Sequence, residues 1–224
     1  ALERAEAWLA PTTRNRERIA GAWVWLGDAS NALLRYEQMV ADDRADHGVR
    51  LGLAALQVRE KQYAAAVTNL RLLAVAQPDD ATVLQLLADA LNESGHPHEA
   101  LPWYRKAIRL DQRNALALNN LAYVLLLHTS NVAEALELAR SSVAIERTPY
   151  ALDTLAYAQY LRGADDVALR HLREAEQLLA DEGKETDPEM HLHFGLVHAR
   201  RGEMEYAVIR FRMALAGQPE LEEQ

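Results

Sequence analysis

The sequence has no cysteine and only two phenylalanines in 224 residues, and aromatic residues of every kind make up 6%. Without thiols there is no disulfide framework, no thiolate nucleophile and no cysteine-ligated metal. So few aromatic residues suit a β-sandwich or barrel poorly, because those folds draw on aromatic and β-branched side chains. No apolar run approaches the roughly 18 residues that a membrane span requires. The longest, Leu121 to Leu127, amounts to about two helical turns. Lys and Arg number 24 against 33 Asp and Glu, a net charge of −9. Nucleic-acid or anionic-membrane binding needs clustered cations, so neither is expected. What the chain has in excess is alanine, 40 of 224 residues. Alanine loses no side-chain entropy in a helix and lets backbones approach closely, which points to an all-α fold.

The chain opens ALERAEAWLAP, amphipathic and charged, unlike a signal peptide. It reads as a helix already under way, so the expectation is a segment of a longer protein. Stepping by 34 residues aligns Ala20, Ala54, Ala88, Ala122 and Ala156, preceded by Ile19, Leu53, Leu87, Leu121 and Leu155. Twelve places later stand Ala32, Ala66, Ala100 and Ala168, and four beyond those Tyr36, Leu70, Tyr104 and Leu172. A turn column holds Gly27, Gly95 and Gly163; a sixth copy, delayed by five residues, runs Phe194, Gly195, Gly202, Ala207, Phe211, Pro219. Each copy reads as two helices. In the third, Leu84, Leu87, Ala88 and Leu91 recur at steps of three and four, Gly95 ends the helix, and Pro97 suits the first turn of the next. Small residues at the helix crossing let antiparallel partners pack closely.

The set Leu87, Ala88, Gly95, Ala100, Tyr104 and Ala107, with Pro78 and Pro219 at unit ends, resembles the tetratricopeptide repeat (TPR), and so does the 34-residue period. The resemblance implies a right-handed TPR superhelix, an α-solenoid of about six helix-turn-helix repeats plus an N-terminal lone helix. Its units fall at 13–46, 47–80, 81–114, 115–148, 149–187 (with an extended loop) and 188–221, and 1–12 is the second helix of a truncated preceding repeat. Lys61 and Thr129 depart from the pattern, standing where glycine is usual.

Catalytic chemistry has little to stand on. GKET at 183–186 lacks the upstream glycine of a phosphate-binding loop; Leu178 stands there instead. His191, His193 and His198 share one expected helix, but 191 and 193 point to different faces and no carboxylate or cysteine joins them, so packing or surface roles are expected rather than a metal site. The acid pairs Asp42–Asp43, Asp79–Asp80 and Asp165–Asp166 sit where acids favour helix starts and solubility. No Ser, His and acid stand at recognisable spacing. The chain reads as non-enzymatic, without cofactor or metal.

In TPR proteins the first helix of each unit lines the inner surface and carries most ligand contacts. The resemblance places Gln85, Asp89 and Asn92 of the third unit there, Asn119, Asn120 and Tyr123 of the fourth, Tyr150, Asp153, Tyr157 and Tyr160 of the fifth, and His193 and Arg200 of the sixth. Asn can bond both donor and acceptor of a peptide backbone, and Tyr offers contact area at low entropic cost. Tyr123 and Tyr157 could instead pack against the neighbouring unit. The Lys of the carboxylate-gripping chaperone mode is absent from Glu17, Gly21, Gly52, Thr82 and Leu86. The expected function is a scaffold or adaptor holding a protein or peptide in a concave groove. The alternatives are a self-assembling array, joined end to end through Leu196, Val208, Phe211 and Leu215, or a regulatory segment of a larger catalytic protein. ALALNNLAYVLL and YALDTLAYAQYLRG are similar to bacterial TPR proteins of envelope assembly and exopolysaccharide export. That implies the periplasmic side of a bacterial cell envelope, with cytoplasm as the alternative.

Overall fold

The computed structural model describes residues 13–42 and 46–216. The helix expected over 1–12, and the unit end at Pro219 with the residues after it, lie outside the described residues. Among those described there is no strand. Helices α1 (Thr13–Trp25), α2 (Ala29–Asp42), α3 (His47–Arg59), α4 (Tyr63–Ala76), α5 (Ala81–Glu93) and α6 (Pro97–Leu110) belong to one compact unit. Helices α7 (Ala115–His128), α8 (Val132–Ile145), α9 (Pro149–Leu161), α10 (Asp165–Asp181), α11 (Pro188–Arg200) and α12 (Met204–Ala216) belong to a second. No helix is long and apolar enough to cross a membrane among the described residues.

Short polar side chains start many of these helices by accepting from otherwise orphaned amides. Asp46 caps α3 through Val49 N at 3.0 Å, Asp80 caps α5 through Thr82 and Val83, and Asn114 caps α7 through Ala117 N at 2.9 Å. Thr148 and Asp187 do the same for α9 and α11. There Pro149 and Pro188 follow at the first helical position, where no amide donor is needed. Gly27, Gly95, Gly163 and Gly202 turn the chain between paired helices in the left-handed conformation. Lys61 holds the same conformation with φ +58°. Thr129 solves its turn differently. Its backbone is extended, its hydroxyl donates to Leu125 O at 2.7 Å, and Asn131 N donates to that hydroxyl.

In the first unit α1 packs on α2, α3 on α4 and α5 on α6; α2 and α4 also touch the first helix of the next pair. The second unit repeats this with α7–α8, α9–α10 and α11–α12. The alanine columns sit at the crossings: Ala20, Ala54, Ala88 and Ala100 in the first unit, Ala122, Ala135, Ala156 and Ala168 in the second, all without exposed surface. Leu70, Leu87 and Tyr104, and Leu121, Leu155 and Leu172, fill the space beside them. The extra length of the fifth copy is divided. α10 continues to Asp181, 17 residues in all, and residues 182–187 form the loop.

Candidate partner-binding face

In the first unit the candidates lie on α5. Asp89 accepts from the Tyr104 hydroxyl of α6 at 2.7 Å, so its carboxylate joins the two helices of that pair. Gln85 reaches the other oxygen of Asp89 at 3.5 Å. Asn92 is half-buried and donates to the neighbouring Glu93 at 3.1 Å.

The second unit gathers more. Asp153 on α9 and His193 on α11 are buried, and the imidazole Nδ1 donates to Asp153 Oδ1 at 2.8 Å. The Tyr157 ring lies flat on that imidazole, with centroids 4.3 Å apart and planes 15° from parallel. Tyr160 follows at 6.2 Å in a parallel plane, and the Arg200 guanidinium sits 3.8 Å above the Tyr160 ring. Arg200 is fixed in turn by both oxygens of Asp165, with Nε at 2.8 and 2.9 Å, and by the Tyr160 carbonyl. This stack ties α9 to α11 and leaves Tyr157 and Tyr160 half-exposed. Tyr157 therefore does pack on the neighbouring pair.

Burial pushes the Asp153 carboxyl above its ordinary range, opposed by the imidazole beside it. Burial alone would lower His193. The charge and hydrogen bond of Asp153, helped by Glu189 and Asp187, outweigh it and raise the imidazole. The pair thus holds a proton more tightly than free groups would.

On α7, the side-chain carbonyl oxygen of Asn119 is buried and finds no hydrogen-bond partner among the described residues; Asn120 and Tyr123 are half-buried. Tyr150, at the start of α9, is 56% exposed. Tyr123 forms one wall of a cavity of about 540 Å³, whose other walls are Pro188, Glu189 and Leu192 of α11 and Phe211, Ala214 and Leu215 of α12. Phe211 is seated on Gly195, where a Cβ would run into its ring.

The remaining histidines are spent separately. His191 faces Arg210 at 3.1 Å, and His198 meets Glu203 at 2.6 Å. No cluster of His, Cys, Asp and Glu able to hold a metal occurs among the described residues. In the GKET loop, Gly183 terminates α10 with φ +68° and Lys184 pairs with Glu182.

Sequence reasoning missed three things here: the Asp153–His193 bond, the Arg200–Asp165 clamp and the cavity. The first two join residues 40 and 35 apart, close to the offset between the fifth and sixth copies. Opposite charges at that offset were the signal available.

Residues 103–137 match the tetratricopeptide repeat family. No curated protein matches the sequence. Among solved structures, a type IV pilus biogenesis factor, PilW, superposes with a TM-score of 0.75 at 16% identity, over 94% of this chain and 96% of its own. YrrB, a TPR protein with an unusual peptide-binding site, gives 0.64 at 16%, over 90% and 98%. TTC0263, a thermophilic TPR protein of Thermus thermophilus, gives 0.62 at 20%, over 88% and 100%. The tetratricopeptide repeat is thus matched in sequence over residues 103–137, and its fold is shared along most of the chain.

Proposed function

We propose that the chain is a non-catalytic scaffold or adaptor, and that the face formed by α7, α9 and α11 of its second unit holds a protein or peptide segment. The observation that carries the reading is an aromatic face whose own charges are already spent. Tyr123, Tyr150, Tyr157 and Tyr160 offer area there, while Asp153 is paired with His193 and Arg200 with Asp165. A partner covering this face strips water from rings rather than from unpaired ions, which is the less costly exchange. Asn120 adds an amide suited to a peptide backbone. Asp153 and His193 work from beneath, holding the Tyr157 ring in place. In the first unit, taken by itself, Asp89 and Asn92 on α5 are further candidate contacts.

The named neighbours support the scaffold reading: YrrB binds peptide, and PilW serves pilus biogenesis. PilW also favours a bacterial cell envelope as the setting.

The test is a pull-down from the native extract with the full chain, followed by affinity measurement for the captured protein. The Tyr157→Ala, Asn120→Ala double variant is compared with Arg173→Ala, an exposed site on α10. Truncating a central aromatic anchor typically costs on the order of 2 kcal/mol of binding. Weakening in the double variant alone, with helicity unchanged, supports the reading. Equal affinity in both variants moves the site elsewhere.

A further inference from the structure

Tyr157 and Tyr160 are both half-exposed on α9, but cations of different kinds hold them. Arg200 sits 3.8 Å above the Tyr160 ring, clamped by both oxygens of Asp165. A guanidinium stays charged at any pH the fold withstands, so this end of the stack is permanent. Under Tyr157 lies the His193 imidazole, 4.3 Å away, whose charge changes near neutrality. It is 3% exposed and bonded to Asp153, itself 8% exposed. With the proton on, the buried carboxylate has its counter-charge and the ring rests on a cation. With the proton off, both are lost at once, and an uncompensated buried charge favours any movement that admits water. The half-exposed Tyr157 ring, flat on the imidazole, is the cover that can shift.

Burial lowers the imidazole, but Asp153, with Glu189 and Asp187 at the start of α11, raises it more. The changeover therefore falls above the ordinary value of about 6.5. Titratable groups on the neighbouring helices are turned to partners other than His193. On α10, Asp165 holds Arg200, Glu176 holds Arg210 and His171 meets Gln159. Arg210 of α12 also reaches His191, Tyr206 lies on His198, and Glu137 of α8 pairs with Arg140. From α7, Tyr123 comes to the start of α11.

We propose that the Asp153–His193 pair is a proton-operated latch on the binding face. With His193 charged, the Tyr157 ring is locked in the stack; with His193 neutral, the ring is freed while Tyr160 stays held. The inference rests on the scaffold reading and adds its regulation: a partner anchored on Tyr157 is bound more tightly in mildly acidic than in alkaline solution.

The test is NMR of the full chain with isotope-labelled tyrosine and histidine rings, titrated between pH 6 and pH 8.5. The His193 signals give the midpoint, and relaxation of the tyrosine signals gives the rate of ring flipping. Flipping of Tyr157 should quicken at least about fivefold with that midpoint, the low end of ordinary coupling between sites. Tyr160, under its permanent cation, should change less than about twofold. Asp153→Asn removes the charge that favours the imidazolium, so it should carry the Tyr157 response to lower pH. His193→Gln should abolish the response, and His191→Gln should leave it intact. A Tyr157 ring equally mobile at both ends of the titration overturns the proposal, as does a response that survives His193→Gln. The protein captured in the pull-down then gives a separate reading. Its affinity should fall at least about fivefold over the same interval for the parent, relative to His193→Gln. If that affinity depends on Tyr157 and Asn120 but its ratio to the variant stays level with pH, the latch fails and the scaffold reading stands.

Discussion

Asp153 and His193 show how much of this site depends on single side chains. Each holds its proton more tightly in the folded chain than when free, so the native state binds more protons than the unfolded one. Stability contributed by such groups falls as pH rises. For His193, whose folded pKa is raised, the contribution is complete below the ordinary imidazole value of about 6.5 and is lost as pH climbs through the folded value above it. Asp153, raised chiefly by burial, acts in the same direction. His171 and His191 are lowered, chiefly by burial, and act oppositely. The pair is therefore isolated by comparison with His193→Gln. The excess melting temperature of the parent over that variant should shrink between pH 6 and pH 8.5. A gap that stays constant or widens would mean that the pair carries no extra proton. Little of this was legible in the sequence: opposite charges near the repeat offset were its one trace, Asp153 and His193 stood there as separate members of an inward-facing set, and only packing turns one toward the other.

At the scale of helices and turns, the sequence was far more explicit. The 34-residue columns fixed which residues meet at crossings, because only a methyl or a hydrogen fits where two helix backbones approach, and Ala88 and Ala122 are indeed fully buried. The turns show where a column can break without breaking the fold. After α3, Lys61 N donates to Val58 O and Gln62 N to Gln57 O; after α5, Gly95 N donates to Asn92 O and His96 N to Leu91 O. The hydrogen bonds are the same, but Lys61 carries a Cβ in the left-handed region, where only glycine is unstrained. Lys61→Gly should therefore stabilise the chain by about 0.5–1 kcal/mol after its added freedom when unfolded is allowed for. Urea midpoints check this, with Lys61→Ala expected to show no such gain. Thr129, the other departure, was unreadable in advance, since its hydroxyl replaces the glycine with a different turn altogether. The cavity was also hidden. Leu192, Phe211 and Leu215 belong to two helices whose separation depends on Gly195, and helical periodicity assigns faces without giving the distance between them.

Over the whole molecule, the net charge of −9 and the aromatic face, whose Asp153 and Arg200 are already paired, act at different ranges, and binding kinetics can separate them. Long-range attraction between an acidic chain and a cationic segment raises the rate of encounter and is screened beyond about 10 Å at 0.1 M salt. On the proposed face the contacts made after docking would be rings and amide hydrogen bonds, which salt barely touches, and these would set the lifetime of the complex. Raising salt from about 20 to about 300 mM should accordingly slow association of the captured partner by about tenfold, with the dissociation rate changing less than about twofold. Tyr157→Ala should do the reverse, speeding dissociation while leaving the association rate and its salt dependence intact. Surface plasmon resonance at several ionic strengths measures both rates. If salt acted mainly on dissociation, charge pairs rather than the aromatic face would be holding the complex. Exposed pairs such as Arg147–Glu174 and Arg140–Glu137 would then be the next residues to exchange.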